Sequence, residues 1–183
     1  EGLSEAVINV FVSLYENNLI YKGTRMVNWD TKLKSAVSDL EVTSSNELGK
    51  LWTIKYKAGD TFIEIATTRP ETLLGDTAVA VNPFDERYKE LIGQTVTIPI
   101  VNRDVEIIAD EYVDIDFGSG CVKITPAHDF NDYEIGKRHN LDLITCLDFD
   151  GNIEKKDFIP EELRGLDRFK ARERIVEMLE ENG

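Results

Sequence analysis

Two stretches of the chain concentrate side chains able to handle charged or polar ligands. The first is Ala66-Thr67-Thr68-Arg69-Pro70-Glu71-Thr72, where hydroxyls and a guanidinium follow an apolar run. Pro70 at a first helical position and Gly75 as a stop suggest one or two helical turns, whose unpaired N–H groups would add donors. Such a place suits an anion or a polarised oxygen. It also reads as a well-capped turn in which Thr68 or Arg69 bonds only locally, although capping needs no guanidinium. The second stretch runs from Gly118 through Lys123 and Thr125-Pro126-Ala127-His128-Asp129 to Asp132. Asp129 and Asp132 stand three apart at a helix start and can face one region. Two carboxylates there would hold a cation such as an α-ammonium, with Lys123, pointing away from the face shared by Val122 and Ile124, offsetting their repulsion. The plainer alternative makes Asp129 an N-cap and Asp132 a favourable first-turn charge. Both readings stay open on the residues alone.

Other chemistries find less support. His128 could act as a base, but a single histidine beside a cap is more often a hydrogen-bonded structural residue. His139 follows Lys137-Arg138 and suits a helix C-terminus. Cys121, His128 and Asp129 lack a zinc-binding spacing, so no metal is expected. The glycines of 118–120 are not followed by the Gly-Lys-Ser/Thr of a phosphate loop, and no Gly-x-Ser-x-Gly elbow occurs. Hydrolysis here would use a positioned water.

The elements that must carry these residues are mostly short strands. LWTIKYK (51–57) and TFIEIAT (61–67) flank Ala58-Gly59-Asp60, a hairpin turn, and Trp52, Ile54 and Tyr56 alternate with polar neighbours. TRMVNW (24–29), TAVAV (77–81), TVTIPIV (95–101), DVEIIA (104–109) and GCVKIT (120–125) supply further strands. Asn102-Arg103 links two of them, and Pro99 marks an edge or bulge. Residues 4–18 read as an amphipathic helix whose apolar face, widened by Val7, Ile8 and Val12, suggests contact with more protein. Residues 129–138 read as a helix capped by Asp129, and 160–181 as a charged helix with Phe169, Ile175, Val176 and Leu179 inside. The expected fold is mixed α/β: a β-barrel-like core of short, mostly antiparallel strands with peripheral helices. One domain spans 1–183, with 1–22 as a helical lead-in and 156–183 as a C-terminal helical flank.

Composition sets the outer bounds. A chain of 183 residues with 42% hydrophobic content can bury one sizeable core. No run approaches the ~20 apolar residues of a membrane span, and EGLSEAVINV lacks the features of a secretory signal. The opening inside a helical pattern, without methionine, is what a piece of a longer protein would show. Cys121 and Cys146 are too few for a disulfide framework and suit buried thiols in a reducing cytosol. A net charge of −14 argues against capture of nucleic acid by bulk attraction. It does not exclude RNA delivered by a larger parent.

The same residues resemble the inserted editing domain of valyl-tRNA synthetases. The matching stretches are RMVNWDTKLKSAVSDLEV (25–42), ATTRPETLLGDTAVAVNP (66–83) and GSGCVKITPAHDFNDYEIGKRHN (118–140), and the likeness extends over essentially the whole chain. The isoleucine and leucine enzymes share Thr-Thr-Arg-Pro, whereas Lys123 with Thr125–Asp129 and the run Glu134–His139 look like the valine enzyme. Thr31 stands where the family usually has proline, and Ser119 where it has threonine. His-Ile-Gly-His and Lys-Met-Ser-Lys-Ser, the family's signatures for ATP-driven aminoacylation, are absent from these residues.

The resemblance implies post-transfer editing: hydrolysis of threonine wrongly joined to tRNA(Val), because a valine pocket cannot cleanly reject threonine by shape. A second pocket with a built-in acceptor for the γ-hydroxyl would favour threonine, since valine would leave that acceptor unpaired at about 1–3 kcal/mol. By resemblance, Thr67, Thr68, Arg69 and Thr72 line the site for the ester and terminal adenosine. Asp132 grips the α-ammonium, while Asp129 and Lys123 serve threonine selection and catalysis. The implied partners are the acceptor end of tRNA(Val) and the catalytic core of the same polypeptide, in a cytoplasmic monomer without membrane contact. This domain would need no cofactor; ATP and Mg2+ belong to the parent's synthetic domain. The competing expectations are a non-catalytic tRNA-docking module, the editing domain of the isoleucyl enzyme, and a small-molecule esterase on a barrel.

Overall fold

In the computed structural model, which describes residues 2–182, eight strands and three α-helices follow one another with short 3-10 turns between them. Helix α1 (Gly2–Glu16) comes first, then a small antiparallel hairpin of β1 (Asn28–Asp30) and β2 (Ser35–Val37). The expected strand over 24–29 is thus confined to its last two residues and Asp30. The remaining strands are β3 (Trp52–Ala58), β4 (Thr61–Thr67), β5 (Ala78–Val81), β6 (Thr95–Ile98), β7 (Arg103–Ala109) and β8 (Cys121–Ile124). They form one six-stranded sheet in the order β4-β3-β6-β7-β5-β8, antiparallel except for the parallel pair β5 and β7. Its outer strands β4 and β8 lie against each other, so the sheet curls into a nearly closed barrel.

Alternation explains the packing. Ile54, Tyr56 and Ala58 on β3 face Ile63 and Ile65 on β4 across the hairpin, while Lys55, Lys57 and Phe62 remain exposed. Gly59, with φ +57°, makes the tight turn. Strand β5 is buried on both faces, which is why AVAV carries no polar residue. Val79 and Val81 enter the barrel with Val96, Ile98, Val105 and Ile107. Ala78 and Ala80 join Ile108, Val113, Ile124 and Ile135 in a second cluster beneath helix α2 (Phe130–His139). The turn between β6 and β7 spans 99–102, with Ile100 and Asn102 at positive φ. Pro99 therefore ends a strand without bulging it, and Arg103 lies in β7, not in the link.

The C-terminal flank is shorter in helix than expected. Glu161–Leu163 is a 3-10 turn, and α3 covers Arg168–Glu181 with Asp167 as its cap. Ala171 and Ile175 are the buried residues of α3, whereas Phe169 is exposed. The reason is register: Ala171 and Ile175 lie four apart on the face that meets the 70–75 turn. Helix α1 buries none of its residues among those described. No described helix is long and apolar enough to cross a membrane.

Candidate active site

Strand β4 delivers the first wall. At its end the Thr67 hydroxyl accepts the Arg69 N–H at 3.1 Å, turning the chain into a 3-10 helix over Pro70–Gly75. Thr67, not Thr68, makes the local bond; Thr68 stays exposed at the rim. Both the Thr72 N–H and its hydroxyl donate to the Arg69 carbonyl, at 3.1 and 3.0 Å. The expected free helix-start donors are consequently reduced, and side chains carry the polarity of this wall. Arg69 spans to the other wall, its guanidinium donating to the His128 carbonyl at 2.9 Å. Gly75 is required by contact: a Cβ there would sit 2.6 Å from the Ile144 carbonyl oxygen.

Strand β8 and helix α2 supply the second wall. Lys123 projects from the face of β8 opposite Val122 and Ile124, and its ammonium is buried against Thr72, Thr125 and Asp76. Asp129 caps α2, accepting the N–H groups of Asn131 and Asp132 at 2.8 and 3.2 Å. Asp132 is buried one turn into the helix, where one carboxylate oxygen accepts the Thr125 N–H at 2.8 Å. Gly136 lets α2 approach so closely that a Cβ would lie 2.8 Å from Pro126.

Between the walls lies a cavity of about 470 Å³. Thr67, Thr68, Arg69, Thr72, Lys123, Asp129 and Asp132 all line it. The capping and first-turn roles of the two aspartates therefore coexist with exposure to a shared space. Burial pushes the Asp132 carboxyl up to about 6, against the pull of the Thr125 N–H and Lys123. His128 also lines the cavity but is committed elsewhere: its Nε2 accepts the Cys146 N–H at 2.9 Å, and burial beside Arg69 holds it down to about 4. It is neutral near pH 7 and structural. His139 contacts Asp110 at 2.9 Å, with Arg138 forking the same carboxylate, at the end of α2.

The family described as tRNA synthetases class I (I, L, M and V) matches residues 1–156. The chain belongs to that family. Among its relatives, the valine--tRNA ligase of Legionella pneumophila (strain Lens) is 59% identical over all of this chain and 20% of its own length. That of Francisella tularensis subsp. tularensis is 54% identical with the same coverage. The chain thus spans about a fifth of the length of the curated relatives it matches. In fold it resembles the LeuRS of Agrobacterium radiobacter K84, solved with tRNA and LeuAMS: TM-score 0.56, 22% identity, over 71% of this chain and 18% of that one. It also resembles GlLeuRS-CP1, with TM-score 0.50 and 14% identity over 66% of this chain and 80% of that one. In this member of the class I synthetase family the Ser119 hydroxyl accepts the Cys121 N–H at 3.3 Å.

Several contacts around the site are not encoded by neighbouring residues. Asp76 beneath Lys123, Tyr56 beneath Asp76 and Glu71 against Arg172 are all fixed by contacts between distant segments. Asp114, Tyr112 and Phe117 complete the mouth from the loop before β8. The only signal for Asp76 was an acid directly after the glycine stop, in a stretch otherwise apolar.

Proposed function

We propose that this chain is the editing domain of a valine--tRNA ligase and hydrolyses threonyl-tRNA(Val) after transfer. The observation that carries the reading is the single cavity shared by Arg69, Thr72, Lys123, Asp129 and Asp132. Asp132 takes the substrate α-ammonium: its second oxygen has no hydrogen bond among the described residues, and a cation there offsets the cost of burying the carboxylate. Lys123, Thr72 and Thr125 present a cation and hydroxyls to the threonine side chain, and Asp129 and Arg69 flank the ester and ribose. A water held among these groups adds its oxygen to the ester carbonyl carbon. Polar groups of the first wall and a ribose hydroxyl stabilise the oxyanion. The carbon–oxygen bond to the ribose then breaks, the ribose oxygen takes a proton, and threonine and free tRNA leave. No side chain becomes acylated.

In this reading the domain uses no cofactor of its own; ATP and Mg2+ serve the synthetic part of the parent, in the cytoplasm. A neutral Asp132 cannot hold an ammonium, so substrate affinity should weaken as pH falls below about 6. The deciding experiment is single-turnover hydrolysis of threonyl-, valyl- and isoleucyl-tRNA. Fast release from threonyl-tRNA alone is the expected pattern. Binding without hydrolysis would make the domain a docking module, and preference for valyl-tRNA would identify the isoleucyl specificity.

A further inference from the structure

We propose that Asp76 is the positioning residue of the cavity floor, its Oδ1 accepting from the Lys123 ammonium at 3.1 Å and from the Thr125 hydroxyl at 2.6 Å. The kinetic part of this inference rests on the editing function above. Asp76 is fully buried and does not line the cavity, so it reaches a ligand only through its partners.

The direction of each hydrogen bond follows from donor arithmetic. An ammonium has three N–H groups and accepts nothing. Those of Lys123 are all engaged, by the Thr72 hydroxyl at 2.8 Å, by Asp76, and by the Thr125 hydroxyl. The Thr72 proton goes to the Arg69 carbonyl and the Thr125 proton to Asp76. Both hydroxyl oxygens thereby meet Lys123 with their lone pairs, and a flexible lysine stem becomes a fixed point charge. Asp76 is itself held from two sides. The Tyr56 hydroxyl of β3 donates to Oδ2 at 2.6 Å, and Arg103 of β7 donates to the Asp76 carbonyl at 2.6 Å. Lys123, Tyr56 and Arg103 are thus the ionisable groups packed on it, with Cys146 and Asp132 in its field. An ion pair this deep adds little stability over aliphatic packing. The surrounding barrel interior is aliphatic, which leaves the orientation of Lys123 and Thr125 as what the carboxylate contributes.

The test is Asp76→Asn, whose amide can donate where the carboxylate only accepts. Single-turnover hydrolysis of threonyl-tRNA should slow by about 10- to 100-fold, as for a reacting group displaced by ~1 Å. The half-saturating concentration should change little, because Asp132 is untouched. In a Lys123→Ala background the same substitution should cost clearly less, only what the Thr125 hydroxyl loses. A second readout needs no activity: the Lys123 Nζ signal of the 15N-lysine-labelled chain, assigned by its loss in Lys123→Ala. It should be protected from exchange in the original chain and lost in Asp76→Asn. Should that variant fail to fold, Tyr56→Phe releases only Oδ2 and should produce a smaller loss on both readouts. An unchanged Lys123 signal, or a rate loss undiminished without Lys123, overturns the proposal. An original chain that shows the protected signal but no hydrolysis instead refutes the editing function and leaves the role of Asp76 standing.

Discussion

Glu71 and Asp76 sit on and just after the same short helix, both sealed from solvent, and they answer to opposite sides of the molecule. Glu71 faces α3, where the Arg172 guanidinium forks both its oxygens at 2.7 Å. Asp76 faces the cavity floor, where it shares one oxygen between a lysine and a threonine hydroxyl. A planar fork locks two segments together in one orientation. A lysine point charge instead leaves a cation at the edge of open space, with hydroxyls arranged around it. The same turn is thus bolted on its back to the C-terminal helix and armed on its front.

The comparison makes the back a matter of stability and the front a matter of rate, and substitutions can break it. The largest effect is expected for Arg172→Ala. Removing one partner of a buried pair leaves the other charge unpaired, at about 3 kcal/mol, with Arg69 Nε, 3.7 Å from Glu71, giving partial relief. Denaturant unfolding should register this, while hydrolysis per folded molecule changes by less than about threefold. A rate loss larger than the stability loss would erase the distinction.

Asp132→Asn sharpens the front. Hydrolysis of threonyl-tRNA should fall by about 100-fold, yet the fold should gain stability. Asp132 has a folded pKa above its unfolded one, so its favourable contribution is present below the ordinary value near 3.8 and lost as pH rises through about 6. Removing the charge should therefore raise unfolding free energy at pH 7 by about 1–3 kcal/mol. Reduced stability together with reduced rate would show a structural carboxylate.

His128 gives the opposite slope in an overlapping window. Its folded pKa, about 4, lies below the ordinary 6.5, so stability is complete above 6.5 and declines as pH falls toward 4. Urea midpoints measured across that range should show a loss of about 2 kcal/mol that His128→Gln lacks. The smallest effect is expected for Arg69→Lys, which keeps the charge but loses the planar reach to the His128 carbonyl. A rise of about tenfold in half-saturating substrate, with a smaller change in rate, would fit a flanking role.

Much of this was legible along the chain, for identifiable reasons. The first arm of the β3–β4 hairpin alternates cleanly up to a glycine turn, and Asp129 is a cap three residues before Asp132, so local rules suffice. The proximity of Arg69 to His128 and the pairing of Glu71 with Arg172 join residues far apart in sequence, and no local rule encodes them. Phe169 illustrates the same limit. Helical periodicity turned it inward, but α3 lies against the 70–75 turn with Ala171 and Ile175 as its buried residues. Among the described residues, 24–27 pair with no strand, and the Thr24 carbonyl accepts from the Tyr133 hydroxyl at 2.7 Å.

The most direct measurement is a crystal structure of the chain with a threonyl-adenosine analogue whose ester is replaced by an amide. The account predicts the ligand between the 67–72 wall and α2, its ammonium on the free oxygen of Asp132 and its hydroxyl over the Lys123–Thr125 floor. An analogue bound in the cavity with its ammonium turned away from Asp132, or bound elsewhere on the barrel, would contradict it.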